Sequence, residues 1–313
     1  MSGGKAQRRP RRLRGGDPVA VVAPGGLVDA EQLEEGIARL ESWGLRVIRG
    51  RHLLDRAASL PYLAGDDGAR AADLREAWFD PQIAAVFCAR GGYGCLRTLS
   101  HLDVHAMVAE VTARPKVFAG SSDVTALHAV LGRRAGLVTL FAPMIATTAF
   151  GVPETHEHLR RTLFEPAATM VLSGPDAGPL VGGRATGVTA GGTLSLLVSG
   201  MGVPDVPPPP DGAIALIEDV TEAPYRVDHF LTHLLRAGWF DRVAGVALGS
   251  WHACGRPEEI RAVVTDRLGP LGVPIVWELG FGHGRCQLTV PLGAPATLDA
   301  DAGTLTLLEP ALA

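Results

Sequence analysis

Apolar and polar positions along this chain switch repeatedly between the period of a strand and that of a helix. The run PVAVVA at 18–23 is short, apolar and rich in β-branched residues, and it stops at Pro24-Gly25-Gly26, which predicts a buried strand followed by a turn. Asp29 then opens a segment that keeps Leu33, Ile37 and Leu40 on one helical face until Gly44 stops it. Residues 45–48 return to strand, 69–79 predict a helix ended before Pro81, and 83–87 and 116–120 predict two further strands. A helix is expected over 124–134, where Ala126/Leu127 and Val130/Leu131 recur on one side. Strands and helices alternating at these lengths predict an α/β layer around a mostly parallel sheet.

From about 165 to 192 the chain turns to Gly, Pro, Ala and Ser without a long periodic element, which marks a linker. Beyond it a second domain is predicted, with strands at 213–217, 243–248 and 274–277 and helices at 225–235 and from Pro257. The four prolines at 207–210 make a stiff loop, and residues 296–308 alternate across Asp301-Ala-Gly303 as a β-hairpin. No internal repeat is found.

Composition narrows the class. The 313 residues are 47% hydrophobic and 20% charged, which predicts a soluble globular chain and excludes disorder, collagen and coiled coil. No apolar run reaches the length of about 18 residues that a membrane-spanning helix needs. The net charge of −4 is unevenly spread: Lys5, Arg8, Arg9, Arg11, Arg12 and Arg14 stand in an opening segment without an acid. Taking these six from 29 basic residues leaves 23 against 33 acidic ones, so the body carries −10. A body of that sign argues against nucleic acid as partner, and the opening segment reads as a short solvated basic tail without the apolar stretch of a secretion signal. Cys88, Cys95, Cys254 and Cys286 have no CxxC spacing, which suits a reducing cytoplasm.

Candidate chemistry gathers at strand ends. Gly120-Ser121-Ser122-Asp123 falls between a strand and a helix, where a serine is held out on a sharp turn and a helix N-terminus aims free N–H groups at developing negative charge. The motif is not GxSxG, and a serine there also serves as a plain cap. Arg90-Gly91-Gly92-Tyr93-Gly94 follows another strand with glycines that allow close backbone approach; it lacks the Gly-Lys-Ser/Thr ending of a phosphate loop and the GxGxxG spacing of a dinucleotide site. Ile217-Glu218-Asp219 ends a strand of the second domain, and His283 lies between glycines after another. Serine, glutamate and histidine in that order can form a nucleophile, an orienting carboxylate and a general base. The spaced pairs His101/His105 and His229/His233, and His156 and His158 around Glu157, lack further ligands, so no metal and no cofactor is expected.

The ordered set Val-Ala-Pro24, Ala89-Arg-Gly-Gly-Tyr-Gly94, Gly120-Ser-Ser-Asp-Val-Thr-Ala-Leu-His128, Gly191-Gly-Thr-Leu194, Ile217-Glu-Asp-Val-Thr-Glu-Ala-Pro-Tyr-Arg-Val-Asp228, Phe281-Gly-His-Gly284 and Val290-Pro-Leu-Gly293 resembles the LD-carboxypeptidase family of serine peptidases. The resemblance spans nearly the whole chain after the tail. It implies an N-terminal domain of the class I glutamine amidotransferase type (a flavodoxin- or Rossmann-like parallel sheet), a C-terminal swivelling β/α domain, and a site at their junction. It further implies Ser122 as nucleophile, His283 as general base, Glu218 as the residue orienting His283, and an oxyanion hole from the N–H groups of Asp123 and Gly92, with Gly91 as second choice. The chain then divides into a disordered tail at 1–15, a nucleophile domain at 16–165, a linker at 166–190 and a C-terminal domain at 191–313.

Two positions depart from the family pattern: Thr193 stands where Gly-Gly-Asn-Leu has asparagine, and Ser121 where many relatives have an aromatic residue. What the resemblance implies is a cytoplasmic, homodimeric serine carboxypeptidase that releases the terminal D-alanine of a muropeptide in cell-wall recycling, with no membrane or nucleic-acid partner. A close alternative is a microcin C immunity-type hydrolase of peptidyl or aminoacyl sulfamoyl-adenylates, which would use aromatic residues of the interdomain loop; 151–192 contains Phe164 but no Trp or Tyr. A second alternative is a noncatalytic α/β ligand-binding protein in which Ser122 is a helix cap.

Overall fold

The computed structural model describes residues 7–313. Five strands, β1 (Pro18–Val22), β2 (Arg46–Arg49), β3 (Ala85–Cys88), β4 (Val117–Gly120) and β5 (Thr139–Phe141), run parallel in the spatial order 2-1-3-4-5. Every residue of β3 and β4 is buried, because helices cover both faces of the sheet. The strand period sorts the side chains: Val19 and Val21 pack with Leu33, Ile37 and Leu40 of α1 (Ala30–Ser42). Ala20 and Val22 face the other way, toward Leu74 and Trp78 of α2 (Asp67–Phe79). Asp29 caps α1 by accepting from the Gln32 N–H at 3.0 Å.

The second sheet has eight strands, β6 (Val171–Leu172), β7 (Gly178–Val181), β8 (Arg184–Thr193), β9 (Ile214–Val220), β10 (Gly245–His252), β11 (Ile275–Trp277), β13 (Pro295–Asp299) and β14 (Thr304–Leu307). Its centre, β8-β9-β10-β11, is parallel, and both margins are antiparallel. The remaining strand, β12 (Val290–Leu292), leaves this half of the chain and pairs antiparallel with β5 of the first sheet. The molecule is thus a mixed α/β protein in which residues 278–289 pass from the end of β11 in one sheet to β12 in the other.

Three expectations are corrected. From Gln7 onward the opening segment is docked rather than a solvated tail: Leu13 is buried, its N–H bonds Leu163 O at 2.9 Å, and Arg12 and Pro10 bond the backbone of Ala313 at 2.8 Å each. Leu13 supplies the apolar anchor that charge counting overlooks; Lys5 and the rest of the first six residues lie outside the described residues. Within the stretch expected as a linker, β6, β7 and the start of β8 join the second sheet. Their small residues carry little strand propensity, and pairing with β9 on one side and β13 on the other holds β8 in place. The helix expected over 124–134 is a short α-helix, α3 (Thr125–Ala129), widened to π turns over Val130–Arg134. Among the described residues no helix is long and apolar enough to cross a membrane.

Candidate active site

The 2-1-3-4-5 order places its switch point between β1 and β3, and in open α/β sheets the crevice at such a point, outside the carboxyl ends of the strands, is where ligands bind. Here β1 delivers Pro24-Gly25-Gly26, β3 delivers Arg90-Gly91-Gly92 and β4 delivers Ser121 and Ser122 to one edge. Ser122 has φ +58°, a left-handed conformation that costs a non-glycine residue about 1–2 kcal/mol. The turn survives because its surroundings hold it. Thr125 Oγ1 donates to Ser122 O at 2.7 Å, and buried Asp123 accepts the Cys95 N–H at 2.7 Å, tying the Gly-rich loop to the serine turn. Burial pushes the Asp123 carboxyl pKa up, against the hydrogen bonds from Cys95.

Gly91 packs directly on this turn. A Cβ there would lie 2.7 Å from Ser122 Cβ and 2.9 Å from Ser122 Oγ, so only glycine fits. Behind the turn, the His128 ring donates through Nε2 to Gly120 O at 2.8 Å, leaving Nδ1 to accept from Thr139 Oγ1 at 2.9 Å. Full burial lowers the His128 pKa to about 4, so the ring is neutral and braces the end of β4.

The other half of the site comes from the second sheet. Glu218 is fully buried near the end of β9, and its Oε2 accepts both His283 Nδ1–H at 2.7 Å and the His283 backbone N–H at 3.1 Å. Gly282 makes this approach possible, since a Cβ at that position would stand 2.5 Å from Glu218 Oε2. The histidine loop is also fixed to the first sheet, where the Phe281 ring meets Phe141 of β5 edge-on at 6.0 Å. Burial alone would lower the His283 pKa; the Glu218 carboxylate, with Asp219 behind it, outweighs this and raises it.

Sequence reasoning placed Ser122, Asp123, Gly92, Glu218 and His283 near strand ends but missed what joins the two halves. Thr193 faces Glu218 across the β8–β9 register; its hydroxyl donates to Glu218 Oε1, and its N–H donates to Thr125 Oγ1 at 3.2 Å. A continuous hydrogen-bonded path therefore runs from Ser122 O through Thr125, Thr193 and Glu218 to His283. Asp219, whose pKa burial lifts to about 6, accepts the Ser195 N–H at 2.8 Å and holds the helix after β8. Among the described residues no hydrogen bond joins Ser122 Oγ to His283, and such bonds commonly tighten only when substrate is present. Among the same residues no three His, Cys, Asp or Glu side chains converge as a metal site.

Residues 19–142 match the LD-carboxypeptidase N-terminal domain and residues 186–298 the LD-carboxypeptidase C-terminal domain. The chain is 52% identical over 305 residues to a Streptomyces coelicolor protein named as a carboxypeptidase, covering 97% of each. It is 31% identical over 295 residues to the murein tetrapeptide carboxypeptidase of Pseudomonas aeruginosa, covering 90% of this chain and 93% of that one. Its structure is similar to that of muramoyltetrapeptide carboxypeptidase from Oxalobacter formigenes, with a TM-score of 0.76 at 27% identity over 93% of this chain and 97% of the other. The microcin C7 self-immunity protein MccF is similar in fold, with a TM-score of 0.83 at 21% identity over 97% and 99% of the two chains.

Proposed function

The chain belongs to the LD-carboxypeptidase family of serine peptidases, and from that premise we propose that it hydrolyses the L,D peptide bond of muropeptides and releases the terminal D-alanine. The observation that carries this reading is the buried Glu218–His283 pair at 2.7 Å, set at the junction where Ser122 is held in a left-handed turn. In the proposed reaction Ser122 Oγ attacks the scissile carbonyl while His283 Nε2 takes its proton. Glu218 accepts Nδ1–H, which selects the tautomer that leaves Nε2 free and stabilises the imidazolium once it forms. The imidazolium then protonates the leaving amine, D-alanine departs, and water attacks the acyl-enzyme with His283 again as base.

Charge on the tetrahedral oxygen would be met by the N–H groups of Asp123 and Gly92, and losing one such donor costs on the order of 10²–10³ in rate. Supporting Gly92 rather than Gly91, the Gly91 carbonyl is already taken by the Gly26 N–H at 2.6 Å, and the planar trans peptide sends the Gly92 N–H the opposite way. We place the activity in a cytoplasmic homodimer that serves cell-wall recycling; four free cysteines, three of them buried, suit a reducing compartment. The test is turnover of an L,D-tetrapeptide by the Ser122→Ala variant. Loss of D-alanine release with an unchanged melting curve is expected, and undiminished release overturns the assignment. An aminoacyl sulfamoyl-adenylate assayed beside it tests the immunity-type reaction, against which stands the lack of Trp and Tyr across 151–192.

A further inference from the structure

Three arginines surround the Gly-rich loop after β3, and the fold consumes two of them. Arg70 is buried, donates to Gly65 O at 2.6 Å and to Thr98 Oγ1 at 3.0 Å, and pairs with Asp67. Arg97 grips both oxygens of the same Asp67 at 2.7–3.0 Å. Arg90 is different: it is exposed and has no hydrogen-bond or ion-pair partner among the described residues. With Gly26, Leu27, Tyr62, Gly92 and Tyr93 it lines a cleft of about 510 Å³. The Tyr62 and Tyr93 rings, each half exposed, meet edge-on at 5.8 Å along that cleft.

We propose that Arg90 is the receptor for the free α-carboxylate of the residue that leaves. The inference rests on the carboxypeptidase reading above and deepens it by naming what restricts cleavage to a chain end. Only Gly91 separates Arg90 from Gly92, so their Cα atoms lie within about 7 Å, a span that an arginine side chain can cover. In the substrate, one amide nitrogen and one Cα separate the scissile carbonyl from the terminal carboxylate. A guanidinium rooted beside the oxyanion site is therefore at the right range to take that carboxylate in a bidentate pair. A dedicated cation suits such a ligand, because the chain carries 29 basic against 33 acidic residues and its net charge of −4 does not favour an anion. Arg285, exposed two residues beyond His283, is the rival cation; it does not line this cleft.

The experiment compares an L,D-tetrapeptide, its C-terminal amide, and the same peptide amidated only on the diamino-acid side chain, using wild type, Arg90→Ala, Arg90→Lys and Arg285→Ala. The carboxylate keeps its charge from ground state to transition state, so the pair contributes uniform binding and its loss falls on KM. Arg90→Ala should lower kcat/KM on the free acid by roughly 10- to 100-fold, mostly through KM, and should cleave acid and terminal amide equally well. Arg90→Lys should regain part of the preference. If Arg90→Ala keeps the wild-type preference for the acid, if the preference disappears in Arg285→Ala instead, or if discrimination follows the side-chain amide, the proposal fails while the carboxypeptidase reading stands. Absence of D-alanine release by the wild type would overturn that reading and the proposal with it.

Discussion

Thr193 and Glu218 stand opposite each other on parallel strands, and the threonine hydroxyl bonds the carboxylate oxygen that His283 leaves free. The departure from the family's asparagine thus keeps a donor at the position that completes the buried glutamate. Because Thr193 also bonds Thr125, beside the Ser122 turn, one residue locates both halves of the site.

Thr193→Val keeps the shape and removes the donor, leaving a buried carboxylate oxygen unpaired at a cost of about 1–3 kcal/mol. We expect kcat/KM to fall roughly tenfold or more, with Thr193→Ser close to wild type. The acid limb of the pH–rate profile should also move upward, since a carboxylate relieved of one donor attracts the imidazolium proton more strongly. A profile unchanged in position would show that Thr193 acts by packing alone.

His283 must be neutral to accept a proton, and Glu218 raises its pKa above the ordinary 6.5. Activity should therefore rise with pH through a midpoint above that value as the imidazolium deprotonates. In Glu218→Gln burial is left as the dominant influence, so the midpoint should move down, while kcat falls on the order of 10⁴-fold through loss of the correct tautomer. Steady-state rates between pH 5 and 9 read both effects.

Gly91→Ala asks a Cβ to occupy space 2.7 Å from Ser122 Cβ. The Gly91 backbone is not left-handed, so alanine is conformationally acceptable there, and the clash falls on the Ser122 turn. A loss of 10²-fold or more in kcat is expected with a melting temperature near that of wild type. Retained turnover would mean that the turn shifts without harm.

Leu13→Ala tests the docked opening segment. Leu13 is 2% exposed and packs in the same core as Val19 and Leu163, so its truncation should cost about 2–5 kcal/mol. The urea midpoint should drop, whereas kcat measured well below the transition should stay near normal. An unchanged midpoint would return this segment to the status of a tail.

Local pattern by itself determined the alternation of strands and helices, the hairpin around Asp301, and the positions of Ser122, Glu218 and His283 at strand ends, because buried strands and one-sided helices impose periods that a single segment displays. Family resemblance implied the roles proposed for them. Long-range pairing was invisible to such reading. The strand Arg184–Thr193 is built of small residues and exists because neighbours bond it on both sides; Val290–Leu292 crosses to the other sheet; Leu13 finds its core through partners more than a hundred residues away. The approach of the Gly-rich loop to the Ser122 turn, the Thr125–Thr193–Glu218 path and the lack of a partner for Arg90 among the described residues likewise depend on register and on which neighbours the fold brings near. Those are properties of packed strands and partnered charges in three dimensions, and only the tertiary structure decides them.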